Sequence, residues 1–133
     1  MRPEHAEMFK AVIESGLSAL KAAILINGGA AVALLAFLGS IASRQGAPGV
    51  ELIGPMSLAM MKFFFGVGVA GAALGSRYLS QAFYAEQLRH PAQKWTLWLA
   101  LVFLGIAIIA GATSFCLFFW GGCLASAVFQ SVA

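Results

Sequence analysis

Residues 22–43, AAILINGGAAVALLAFLGSIAS, run between Lys21 and Arg44 without a single charged side chain. As an α-helix rising about 1.5 Å per residue, such a segment crosses a hydrocarbon core of about 30 Å. The pattern recurs. Residues 55–76, PMSLAMMKFFFGVGVAGAALGS, are interrupted only by Lys62, and everything after Lys94 is uncharged. Of the 133 residues, 61% are hydrophobic and 10% charged, against roughly half and a quarter in soluble domains. So few charges cannot cover a soluble globule, which excludes an ordinary soluble enzyme, a nucleic-acid module and a disordered tail. The expectation is a single domain of an all-α integral membrane protein embedded in a lipid bilayer.

The third uncharged run exceeds the roughly 20 residues that one crossing needs. Trp98 and Trp120 are separated by about 33 Å of helix, the distance between two interfacial tryptophan belts. With Trp95, they are the expected interface anchors. A span over 95–120 then leaves 121–133 as an apolar tail. A turn at Gly111–Ser114 would instead create a fourth span, but GATS contains no Pro, Asn, Asp or charge to make one. Three transmembrane helices are therefore expected, at 22–43, 55–76 and 95–120, with four as the alternative.

Basic residues orient the chain. With three spans, Arg2, Lys10, Lys21, Arg77, Arg89 and Lys94 fall on one side and Arg44 on the other. This predicts a cytoplasmic N-terminus in a cell (inner) membrane and an external C-terminus; a fourth span would return the C-terminus inside. Glu4, Glu7 and Glu14 precede the first span, unlike the short basic start of a cleaved signal peptide. The net charge of +3 fits attraction to anionic headgroups, and no nucleic-acid partner is expected.

Two cytoplasmic segments read as amphipathic helical extensions. In residues 1–21, Met8, Phe9, Val12, Ile13, Leu17 and Leu20 recur at helical spacing, opposite Glu7, Lys10, Glu14 and Lys21. No break separates this helix from the first span. Residues 77–90 place Tyr78, Leu79, Ala82 and Phe83 on one side, and Pro91 is expected to stop the helix. Both extensions suit the headgroup layer or mutual packing; the N-terminal one also suits a gate or docking element.

Helix-packing signals outnumber chemical ones. The second span carries Gly66, Gly68, Gly71 and Gly75 and the first carries Gly28 and Gly29. Small residues let helices approach closely in lipid, which predicts self-association beyond a thin three-helix bundle. Gly66 to Gly71 spells a GxGxxG dinucleotide pattern, but inside an apolar span its amides are already used by the helix. Lys62 is the one ionisable residue deep in a span. It lies about 10 Å from Pro55, close enough to snorkel outward, or else to face a water-filled path with Glu51 as counter-ion. Asn27 offers a second polar group, for an interhelical hydrogen bond or for transport. Met56, Met60 and Met61 read as packing methionines before copper ligands. Cys116 and Cys123 are too far apart to bridge and read as buried thiols.

No catalytic or metal-binding constellation is visible. Asp is absent, and His5 and His90 lie outside the spans, with Glu86 and His90 too few ligands for a closed zinc site. A haem anchor would need histidines within the spans and an exporter a membrane carboxylate; neither occurs. No cofactor and no enzymatic activity are expected. The sequence points first to a homo-oligomeric, pore-forming or channel-like protein whose polar path uses Lys62, Asn27 and Glu51. The alternative is a non-catalytic accessory or scaffold subunit of a larger membrane complex.

Overall fold

The computed structural model describes residues 3–43, 50–90 and 92–130. Arg2, Arg44 and Pro91, used above for orientation and helix termination, lie outside them. The described chain is helical: α1 (Pro3–Ala42), a short 3-10 turn (Val50–Leu52), α2 (Ile53–Arg89) and α3 (Lys94–Gln130). All three long helices have the length and composition to cross a membrane. Their length and composition fit a multi-pass membrane protein.

Each helix is longer than one crossing requires. Forty residues in α1 and 37 in each of α2 and α3 extend over about 55–60 Å. α1 passes from the N-terminal amphipathic stretch into the apolar stretch without interruption, through Gly28, Gly29 and Gly39. In water each such glycine costs about 1 kcal/mol against alanine; in lipid the cost of unpaired backbone groups holds the helix together. α2 likewise runs through the expected boundary at 76–77 without a break. Pro55 sits in its first turn, where backbone N–H groups have no intrahelical partner to lose. At the other end Arg89 complements the helix dipole. There the His90 N–H closes on the Glu86 carbonyl at 2.9 Å. His90 leaves the helical region at φ −128°, ψ 73°, as a residue preceding proline is pressed to do.

α3 continues straight through 111–114, so the four-span turn is not formed. The physical reason is that Gly111 and Ser114 are buried packing positions, Gly111 lying against Leu20 of α1. α2 is the central helix, packed along α3 and, less extensively, along α1, while α1 and α3 touch little. The contacts Ser80–Ala100, Gly66–Ser114 and Phe63–Phe118 make α2 antiparallel to α3. Asn27 and Arg77 make it antiparallel to α1 as well.

Most of the buried positions are small. On α2 they are Met56, Ala59, Phe63, Gly66, Ala70, Ala73 and Ser80, at the alternating three- and four-residue steps of a left-handed helix seam. α3 answers with Ala100, Ala107, Gly111, Ser114 and Gly121. Gly121 receives the edge of the Phe63 ring, which stands 2.9 Å from where a Cβ would be. Larger rings close the bundle where the seam widens: Phe37 on Phe129 and Phe83 on Phe103. Cys116 and Cys123 are exposed, correcting the expectation of buried thiols; the small residues occupy the inward face of α3 and turn both cysteines outward.

Candidate functional site

Polar groups concentrate at two places on the inward seam and at one on its flank. The first is a node joining all three helices. Asn27, fully buried, donates from Nδ2 to its own-helix Ala23 carbonyl at 2.9 Å and to the Ser114 hydroxyl at 3.2 Å. Ser114 Oγ in turn donates to the Gly66 carbonyl at 2.8 Å. A Cβ on Gly66 would collide with the Asn27 amide, coming within 2.6 Å of Cγ. Gly66 is therefore the residue that admits Asn27. Asn27 Oδ1 is buried without a hydrogen-bond partner, a desolvation cost of about 1–3 kcal/mol that the other bonds offset.

The second polar place ties α2 to α3 near the Lys94 end. Ser80 Oγ donates to the Ala100 carbonyl at 2.7 Å. The Thr96 hydroxyl donates to the Gln93 carbonyl at 2.6 Å and also meets Gln87 Oε1. On the same stretch Arg77 crosses to α1, its Nη2 donating to the Ile13 carbonyl at 2.6 Å. Gly16 makes room for it: a Cβ there would stand 2.5 Å from Nη1.

Lys62 occupies the flank of α2. Its ammonium lies over the Trp120 ring, 4.3 Å from the centroid, a cation–π contact that strengthens as water is excluded. Beyond Trp120, α3 continues to Gln130, about 15 Å further. Leu35, Leu58 and Phe129 toward that end are exposed and apolar. The amine is thus held at the level of Trp120, the expected interface anchor, with helix continuing beyond it. Glu51, in the 3-10 turn, is exposed, and among the described residues no carboxylate pairs with Lys62; Glu14 pairs with Lys10, and Glu86 lies 3.5 Å from the His90 imidazole.

The expected glycines divide by face. Gly66 is inside, and Gly28 has only an ordinary van der Waals neighbour in Val67. Gly29, Gly68, Gly71 and Gly75 have open space where a side chain would be. On α2 the last three, with Ala72, form an exposed small-residue face bounded by exposed Phe64, Phe65, Tyr78 and Leu79. Trp95, Trp98 and Trp120 are all more than half exposed, as lipid-interface side chains are. Of the methionines, Met56 is buried and Met61 exposed. Among the described residues, His, Cys, Asp and Glu nowhere group in threes that could hold a metal ion.

Reasoning from sequence alone missed the partners. Ser114 was visible as a hydroxyl in a long apolar run, the signal that marks interhelical hydrogen bonds. The pairing of Arg77 with Gly16 joins positions far apart in the chain and left no local signal. No protein-family model matches the chain, and no curated protein or solved structure does so at a significant level.

Proposed function

We propose that the chain is a non-catalytic, self-associating subunit of a channel-like membrane assembly, with Lys62 on its polar path. The observation that carries this reading is the Lys62 ammonium, held against an aromatic face with no carboxylate partner among the described residues. An intramembrane charge is expensive and normally faces a water-filled cavity or a partner. Neither groove described among these residues is lined by Lys62, and on this reading water reaches it between copies. Rings of lysine favour anions. The N-terminus is assigned to the cytoplasm of a cell (inner) membrane on its basic residues.

The exposed face of Gly68, Gly71, Ala72 and Gly75 suits a helix–helix contact between copies. Gly71→Leu has room within the monomer, so the fold should survive while the purified particle falls to a smaller mass in native mass spectrometry. An unchanged mass would remove this face from the interface.

A second reading, an accessory or scaffold subunit of a larger complex, is favoured by Asn27. It is fully buried and its Nδ2 is engaged within one chain, which suits a packing role. Purified chain in planar bilayers separates the two. Discrete, anion-preferring currents support the channel; silent bilayers at high protein load leave the scaffold.

A further inference from the structure

Because α1 and α3 diverge over the Lys94 end of the bundle, an open groove of about 370 Å³ runs between them and continues into one of about 220 Å³. Arg77 of α2 lies on the floor of both, and Gly16, Leu104 and Ile108 are shared walls. The groove has a direction. Gln81 and Tyr84 line its end toward the α2 terminus, whereas Leu20, Ala107, Gly111, Ala112 and Phe115 line the other, toward the middle of the bundle. A half-buried cation therefore sits within a largely apolar groove that has Gln81 and Tyr84 at one end and only apolar side chains at the other.

Among the described residues the charge of Arg77 has no ion-pair partner. One of its five N–H donors goes to the Ile13 carbonyl, a neutral acceptor, and among the described residues no carboxylate pairs with it. Glu14, on the same stretch of α1, pairs with Lys10 instead. Guanidinium matches phosphate oxygens in geometry and charge. Arg89 and Lys94, beyond Arg77 toward that end of the helices, add attraction for an anionic headgroup.

We propose that this groove binds one anionic phospholipid, its phosphate on Arg77 and an acyl chain in the slot toward Phe115. Gln81 and Tyr84 at one end, the cation, and the apolar slot beyond it follow the order of headgroup, phosphate and chain in a lipid of that leaflet. The site is complete within one chain and does not require the chain to form a pore.

The test is native mass spectrometry of the full chain from nanodiscs of equimolar phosphatidylglycerol and phosphatidylcholine. Wild type should retain phosphatidylglycerol about tenfold over phosphatidylcholine, because both lipids bring a phosphate to Arg77 but only phosphatidylcholine brings a quaternary ammonium into repulsion with it. Arg77→Gln should abolish the preference and Arg77→Lys should keep part of it. Ala112→Phe, at an exposed position lining the slot, should lower lipid retention while Arg77 stays intact, which separates lipid loss from misfolding at residue 77. Equal retention of both lipids, or a preference that survives Arg77→Gln, would overturn the proposal. So would stabilisation of the detergent-solubilised chain by inorganic phosphate together with an unaffected Ala112→Phe, which would mark a bare anion site. A lipid-free dimer peak that Ala112→Phe removes would assign the groove to a second copy and overturn it equally.

Discussion

Gly66→Ala should destabilise the bundle, although alanine is the better helix former. A methyl at Gly66 would overlap the Asn27 amide, and relieving that clash means giving up the bonds from Asn27 to Ser114 and Ala23. Overpacking of a tight interior costs about 1–3 kcal/mol, and an intramembrane hydrogen bond contributes about 0.6–1.7 kcal/mol more. The thermal unfolding midpoint in detergent should fall clearly. Gly71→Ala is the control: with open space at that position it should be neutral, or stabilising by up to about 1 kcal/mol in a detergent-solubilised monomer. The opposite signs at two glycines of one helix make the comparison decisive. Asn27→Ala should also destabilise, but combined with Gly66→Ala it should cost less than the two separately, since the methyl then occupies vacated space. Additive effects would show that the two residues are not in contact.

Lys62→Glu should reverse the ion preference of the assembled protein. A unit charge about 8 Å from a permeating ion is worth about 2 kcal/mol at an effective dielectric of 20, more than a factor of ten in relative permeability. Wild-type currents should prefer chloride, Lys62→Met should lose the preference, and Lys62→Glu should prefer cations. Particle mass should be unchanged in both variants, because Lys62 contacts Trp120 within its own chain and lies off the glycine face. Reversal potentials in asymmetric salt measure this directly. Three variants with one common selectivity would take Lys62 off the path and leave it as a partner of Trp120 alone.

The helices were legible because charge marks them: the segments without Lys, Arg or Glu, Lys62 excepted, are the apolar lengths of α1, α2 and α3. Their continuity was half legible. Nothing between Lys21 and the first span breaks a helix, and α1 runs through; the division of α2 at Arg77 followed a change in polarity that has no backbone consequence. Which glycines face inward was not legible. Gly66 and Gly68 differ by two residues, about 200° around a helix, and both lie in small-residue patterns. What separates them is where Asn27 and Ser114 arrive, and those partners lie 39 and 48 positions away in sequence. The same reasoning covers the cysteines. Small residues on both faces of α3 left its inward side undetermined until Ser114 and Gly121 were seen against Gly66 and Phe63.

Whether copies of the chain assemble is the point on which the proposed function turns, and the mass of the nanodisc-extracted particle reads it. The expected result is one discrete multiple of the 13.9 kDa chain, a closed ring of several copies that Gly71→Leu reduces. A particle of one chain, stable at every protein concentration and indifferent to Gly71→Leu, would contradict self-association and with it the channel.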